Sequence, residues 1–571
     1  MSLVAGALQL GAAPSSVSPH PTEGGTTILG LRNLFGRPQP GQMFTANDRM
    51  PNPHQVPESV RVLMRRLAHR MRQPFAWPDT LAGASAPGDN PKLASGYTYL
   101  LQLMAHDIVD SSFSLGGAGG AGFGFANGRQ IPLALETIYG GGPENSPQVY
   151  EISAAHLRTL GTVPRTRLRT GKLKGKKGQA LACPFRDIGR ARPAATSDSS
   201  ALGRKVPLTE VLLADARNDS HALISQITVL FHRFHNVVDD LIQAAQRAED
   251  ASQHPPEVAA YVRFACARLA ATLVYREIVL KDVLPRILHP AVADWYARHG
   301  HAPVDASRGV PVEFSHGAFR FGHAMVRDQY LLTAGNRRDM SRGLLLSSQR
   351  APGALPMPED WRVDWELFFP PDGATVPNKS RRLAPQYAFA LRDEQLFPAV
   401  DPSVDTFGLA ARDLVSGCFA GFWSVPVLFS EIRRAPLKSV LPDFTVWHEP
   451  LRHWLRDRSG TFADYPDEED IADLVADPPL PFFVLFEAAH SGSGSAPVSV
   501  GGGAHLGPFG SIIVAETILG CLRDHPISFE RAGSALSDRL EAAGREMIGD
   551  ASALAPLAGI GSMAALVRFV G

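Results

Sequence analysis

Cysteine is scarce in this chain. The four present among 571 residues, Cys183, Cys266, Cys418 and Cys521, lie far apart, with no CxxC and no Cys/His pair at zinc spacing. That argues against a disulfide scaffold or a zinc module. Cys266, Cys418 and Cys521 sit in apolar, helix-like surroundings and read as buried free thiols, suited to a reducing compartment. Neither sign of charge is in excess, with 56 Lys and Arg against 56 Asp and Glu. No global field therefore draws the chain to nucleic acid or to a membrane surface. No uninterrupted apolar run reaches the ~20 residues of a membrane-spanning helix. The mildly apolar start, residues 1–14, lacks the basic flank of a signal peptide. Alternating strand patterns are few, and no internal repeat is visible. A cytoplasmic location is the default expectation, with secretion lacking a signal peptide as the alternative. Oligomeric state stays open.

What the chain does have is an ordinary globular balance, 44% hydrophobic with 20% charged residues. Its length is enough to bury a large core. Residues 1–59 are rich in Gly, Pro, Ser and Thr and read as an extended arm laid over a domain. Residues 60–571 read as one mainly α domain with long loops and few short strands, because no linker divides them. Stretches 222–248 and 258–284 carry apolar residues at three- and four-residue spacing, the pattern of core helices. Pro285, lacking an N–H, is expected to end the second. The glycine-rich stretch 116–128 must be a loop. Residues 165–177 concentrate seven basic side chains; without interleaved aromatics they read as a solvated surface loop rather than a nucleic-acid patch.

Three short segments hold the side chains that carry chemistry. In Gln102-Leu103-Met104-Ala105-His106-Asp107, Gln102 and His106 are four apart and share one helical face. Asp107 points about 100° away and has another job. In Asp215-Ala216-Arg217-Asn218-Asp219, Arg217 stands before the 222–248 helix, with Asn218, Asp219 and Ser220 as capping candidates. In Phe319-Arg320-Phe321-Gly322-His323, Arg320 and His323 are three apart, and Gly322 would let a flat group approach. Each segment has a bland alternative: a satisfied core histidine at 106, an Asp215 or Asp219 pair for Arg217, a core histidine beside a surface arginine at 320–323. Taken together they supply what peroxide cleavage on haem iron requires. That chemistry needs one imidazole as axial ligand, a second to move a proton, and a cation for the separating charge.

In order and in combination, these segments resemble the animal-type haem peroxidases of the peroxidase-cyclooxygenase superfamily, and bacterial members in particular. Residues 97–107 look like the distal-histidine helix, and 212–236, ending Leu230-Phe231-His232-Arg233-Phe234-His235-Asn236, like the distal-arginine segment and its helix. Residues 318–326 resemble the proximal-histidine segment. Leu485-Phe486-Glu487, Leu506-Gly507-Pro508 and the closing 563–571 are also similar, so the resemblance covers roughly residues 60–571. It implies His106 as distal acid/base, Arg217 as distal cation, Gln102 as a pocket amide ordering water or a small anion, and His323 as the iron ligand. Arg320 would meet a haem propionate. Asp413 falls where the family has an asparagine bonded to the proximal imidazole, and a carboxylate there should make that ligand more donating. The implied activity is reduction of hydrogen peroxide through a ferryl intermediate, with small organic donors as reductant and a place in the response to oxidative stress.

The chain also departs from the family. Ala105 and Ser220 stand where mammalian members carry the two carboxylates that esterify haem. Non-covalent haem b is therefore expected, and efficient chloride oxidation is not. A calcium ion is implied through Asp107, but Ala134 replaces an expected aspartate in the partner loop, with Glu136 and Thr137 nearby; otherwise Asp107 makes a buried hydrogen bond. Ser416 replaces an expected arginine. His221 faces the haem edge or sits in the first turn of its helix. Two rival functions follow from the same resemblance. A fatty-acid dioxygenase would need a tyrosine three residues before the proximal histidine, where this chain has Arg320. A non-catalytic haem-binding protein of this fold is the other.

Overall fold

A computed structural model of the chain describes residues 31–36, 38–39, 42, 44, 57–77, 79–112, 126–152, 165–175, 186–191, 209–248, 256–300, 309–434, 436–457, 464–492, 502–530 and 534–571. Helices dominate, as the periodicity leads one to expect. The strands among the described residues form five antiparallel pairs, the longest strand being Asp89–Ala94. Cys183, most of the glycine-rich stretch at 116–125, the end of the basic stretch at 176–177 and most of the arm lie outside the described residues. Cys266, Cys418 and Cys521 are free and buried.

Seven helices matter for the site: α1 (Glu58–Arg70), α2 (Gly96–Ile108), α3 (Ala222–Ala248), α4 (Pro256–Ile278), α5 (Leu409–Ala420), α6 (Leu480–His490) and α7 (Pro508–Asp524). One connected apolar core runs through them, from Leu34 to Val570. Helix α2 starts hard against the Phe368 carbonyl and the Phe369 ring. A Cβ on Gly96 would meet the Phe368 carbonyl oxygen at 2.5 Å, so only glycine fits. Helix α6 is buried on every side, which explains why its sequence shows no polar face.

The second long helix does not stop at Pro285. After α4 come a single π turn, Val279–Val283, and a further α-helical turn, Leu284–Ile287. Pro285 thus stands in the first turn of a new α-helical segment, where its missing N–H is least harmful. The continuous helix 258–287 is long and apolar enough to cross a membrane by length and composition alone, although the sequence shows no unbroken apolar run. Some 78% of its most apolar window is buried within the protein, as for a core helix. The basic stretch is not all loop either. Thr170–Gly171 pairs with Asp187–Ile188, and Leu168 and Leu173 are buried.

The arm's described part lies on the body of the protein. Val312 N–H donates to the Arg32 carbonyl at 2.6 Å, and Leu34 is buried. The fully buried Glu313 carboxylate accepts from Asn33 Nδ2 at 2.8 Å, from Leu34 N–H at 2.9 Å and from Trp423 N–H at 3.3 Å. Glu313 opens a π turn, Glu313–Gly317, which leads directly into a 3-10 helix, Ala318–Met325. Eight residues of 3-10 helix is long for that geometry, and such stretches often mark a functional segment. It carries Arg320 and His323 and packs against α2, α6 and α7.

The two motifs at 485–487 and 506–508 meet in space. The Glu487 carboxylate accepts the Phe509 and Gly510 N–H groups at 2.9 and 3.0 Å, satisfying the open end of α7. A Cβ on Gly507 would fall 2.3 Å from the same carboxylate. Glu487→Gln would point an NH2 at one of the two donors. It should lower stability by about 1–3 kcal/mol, read as a reduced denaturation midpoint; an unchanged midpoint would show that the cap does not hold the two helices together.

Candidate functional site

Ten of the thirteen residues of α2 are buried, and the three that are not are Gln102, Ala105 and His106. Their spacing puts them on one edge of the helix, so the protein leaves a narrow strip of α2 uncovered. Arg217, Ser220, Arg320, Gly322, His323 and Ser416 are likewise only partly buried. Helix α2 contacts both the turn Ala216–Asp219 and the 3-10 helix of His323. Gln102, His106, Arg217, Arg320 and His323, singled out in the sequence, are thus all partly exposed, on elements that touch one another.

The protonation pattern of His106 follows from its neighbours. Asn218 Nδ2 donates to the Thr137 carbonyl at 3.1 Å and to Thr137 Oγ1 at 3.0 Å, which turns its Oδ1 toward the imidazole. His106 Nδ1 lies 2.8 Å from that Oδ1 and must donate to it. The Nε2 lone pair is then left free. Burial, with help from the Arg217 charge, holds the His106 pKa down to about 4, so the ring is neutral near pH 7. Protein nevertheless leaves part of the residue uncovered.

Gln102 is oriented by the same logic. His221 Nδ1 accepts the Ile224 N–H at 3.3 Å, so its Nε2 carries the proton and donates to Gln102 Oε1 at 2.9 Å. The Gln102 NH2 is then the group left for a ligand. His221 does two jobs: it caps the start of α3 and fixes Gln102. The capping expected of Asn218, Asp219 or Ser220 does not occur there. Asp215 caps the 216–219 turn through the Arg217 N–H. Asp219 instead accepts from the Ser348 N–H at 2.7 Å and pairs with Arg190 at 2.7 Å.

Arg217 is held close to His106, through its main chain. Its Nη2 donates to the His106 carbonyl at 3.0 Å and to Asp215 at 2.6 Å, its Nη1 to the Val109 carbonyl at 2.8 Å, and its Nε to Asp215 at 3.0 Å. Of five guanidinium N–H groups, one on Nη1 is uncommitted. Arg129 supports the arrangement, donating to the His106 carbonyl at 2.7 Å and to Asp215. Burial would raise the Asp215 carboxyl; Arg217, Arg129 and His106 outweigh it and hold it down to about 2. The two arginines thus close the carbonyl end of α2. The Asp215 pairing weighed against a functional role for Arg217 is present.

On the other segment, three residues per turn bring Arg320 and His323 onto one edge. His323 Nδ1 donates to Asp413 Oδ2 at 2.7 Å, leaving its Nε2 lone pair free. Asp413, on α5, also accepts from Tyr387 Oη at 2.7 Å and approaches Arg320 Nη1 at 3.5 Å. Burial alone would raise the Asp413 carboxyl; His323, Arg320 and Tyr387 prevail and keep it below its ordinary value. Arg320 Nε has no hydrogen-bond partner. A Cβ built on Gly322 would find nothing within 4 Å. These residues fit a haem: two imidazoles with free Nε2 atoms, an incompletely bonded guanidinium and open space over a glycine.

Calcium does not fit. The fully buried Asp107 accepts the Leu135 N–H at 2.9 Å and the Thr137 N–H at 3.1 Å, one on each oxygen. Glu136 is likewise taken by the Gln130 and Ile131 N–H groups. Leu133 and Leu135 adopt φ of 60° and 58°, unusual for branched side chains. The loop so wound points N–H donors at Asp107, where a cation needs oxygens. Among the described residues no group of three His, Cys, Asp or Glu side chains could hold a metal ion. The alternative of a buried hydrogen bond is what the geometry shows.

Residues 146–357 match the family model of the animal haem peroxidases, a span that includes Arg217, Arg320 and His323. The match covers somewhat more than a third of the chain, in the part that carries the distal arginine and the His323 segment. Solved structures similar to it include peroxidase A from Dictyostelium discoideum, 15% identical over 91% of each chain with a TM-score of 0.47. The fatty acid alpha-dioxygenase of Arabidopsis thaliana is 16% identical, covering 95% of this chain and 78% of that one with a TM-score of 0.49. That of Oryza sativa is 11% identical over 94% and 85%, with a TM-score of 0.50, a likeness of fold. No curated protein matches the chain.

The sequence did not single out Tyr387 or Arg129, and considered Asn218 only as a helix cap. Asn218 stands beside Arg217 and could have been suspected; Tyr387, 26 residues from Asp413, left no local signal. Asn218→Ala removes the acceptor that fixes the His106 ring. In nitrogen-15 spectra of histidine-labelled protein, wild-type His106 should be the Nδ1–H tautomer, with the variant moving toward Nε2–H. An identical tautomer ratio in the two would dismiss Asn218 as a positioning residue.

Proposed function

We propose that the protein is a haem-dependent peroxidase that reduces hydrogen peroxide and oxidises small organic donors. The observation that carries this is the shared arrangement of two imidazoles, His106 and His323, each held through Nδ1 by a side-chain oxygen with Nε2 free. Haem, when bound, supplies the iron at which the peroxide O–O bond is broken and electrons are exchanged. His323 would hold it, and Asp413, by drawing on the Nδ1 proton, makes that imidazole a stronger donor than an asparagine partner would.

His106 does the proton work. Its Nε2 takes the proton from the inner peroxide oxygen and returns it to the outer one, which leaves as water. The Arg217 charge and its one uncommitted N–H stabilise negative charge on the departing oxygen. The Gln102 NH2 offers a donor for water or a small anion. Two one-electron donors, AH, complete the balance: H2O2 and two AH give two waters and two A radicals. Arg320 supports this reading over fatty-acid dioxygenation, since it stands where that chemistry requires a tyrosine.

His106→Ala should slow the reaction with peroxide at least about a hundredfold in stopped-flow absorbance; an undiminished rate would remove the proton-transfer role. Because burial and Arg217 depress the His106 pKa to about 4, the neutral form predominates down to that pH. The acid limb of the peroxide rate should fall near pH 4, and a limb near 6.5 would mean a ring exposed to water.

Ala105 and Ser220, both partly uncovered, cannot form the ester links of the mammalian enzymes, so the cofactor proposed is non-covalent haem b. Acidified organic solvent should extract it completely; haem remaining on the denatured chain would contradict this.

A further inference from the structure

A cavity of about 560 Å³ opens beside the His323 segment. It lies within the usual range of small-molecule sites, on the order of 300–1,000 Å³. Its walls bring together Arg327, Arg337, Arg381 and Arg392, against two carboxylates, Asp89 and Asp328. Arg327 is already paired, at 2.7 Å from Asp89. Asp328 is partly occupied by the Ala390 N–H at 2.8 Å. The other three arginines have no ion pair among the described residues. Arg381 donates only to the neutral Gln386 amide at 2.8 Å, and Arg392 to the Tyr387 carbonyl at 2.9 Å. Burial, together with Arg392 and Arg327, holds the Arg381 guanidinium below its ordinary value against the pull of Asp328. Many other arginines of this protein, such as Arg61, Arg190 and Arg276, have carboxylate partners. Four guanidiniums against two carboxylates leave positive charge in excess here.

An apolar feature accompanies that charge. Phe389, on the cavity wall, is 75% exposed, the only aromatic among the exposed large hydrophobic side chains described. A bare phenyl ring beside this excess of guanidiniums suits a ligand that is flat and apolar at one end and anionic at the other. Tyr387 also lines the cavity while its hydroxyl bonds Asp413, so one residue borders both this cavity and the His323 pair.

We propose that this cleft binds an aromatic carboxylate, the carboxylate held by Arg337, Arg381 and Arg392 and the ring against Phe389. The binding does not depend on the peroxidase reading.

The test is calorimetric titration of the haem-loaded full-length protein with 2-naphthoate. One saturable site is expected. Arg381→Gln and Arg337→Gln should each weaken binding about tenfold, and Phe389→Ala about threefold. Arg337 is exposed, so its variant keeps the test readable if Arg381→Gln fails to fold. The uncharged 2-naphthamide should not bind measurably, and His106→Ala should bind 2-naphthoate as the wild type does. Absence of saturable heat would overturn the proposal. So would equal binding of the amide, indifference to both arginine substitutions, or loss of binding in His106→Ala, which would place the ligand in the haem slot.

Discussion

An imidazole has two nitrogens, and what one of them can do is decided by what holds the other. In this protein both histidines at the site are committed through Nδ1, His106 to an amide oxygen and His323 to a carboxylate. The chemistry proposed for each depends on that commitment, because it leaves the remaining nitrogen as a lone pair instead of an N–H. The difference between the two acceptors suits two tasks. A neutral amide does little to offset the burial and the Arg217 charge that keep His106 weakly basic and able to give a proton back, whereas a carboxylate strengthens His323 as a ligand.

Around these contacts the fold solves ordinary problems of helix ends with charged side chains. The carbonyl end of α2, where His106 sits, is closed by Arg129 and Arg217, both anchored on Asp215. The amide end of α7 is closed by Glu487. Arg217 therefore has a structural occupation as well as a proposed electrostatic one. The two are compatible, because a guanidinium fixed by four bonds is a charge that need not reorganise during reaction.

Much of this was legible in the sequence for identifiable reasons. Helix α3 was readable to the residue because its apolar stripe recurs over many turns. Gln102 and His106 could be placed on one face because spacing of four is decisive in a helix. The His323–Asp413 contact followed from the family resemblance, and the two side chains meet at 2.7 Å. What escaped is equally instructive. The end of the second long helix was misplaced because a π turn reset the geometry before Pro285, and no local residue signals that. His221 and Tyr387 act through partners 119 and 26 residues away, distances at which sequence spacing carries no information. Calcium was one of two readings of Asp107, the other being a buried hydrogen bond, and loop winding, set by the left-handed Leu133 and Leu135, decided what that carboxylate faces.

Glu313 extends the site's dependence to a distant part of the chain. Its carboxylate has no water to fall back on, and two of its partners, Asn33 and Leu34, belong to the sparsely patterned N-terminal stretch. Trimming that stretch to obtain a tidier protein for expression would strand a buried acid at the head of the turn that delivers His323. A shortened version that loses its cofactor would then be reporting a missing tether, even with every haem-facing residue intact.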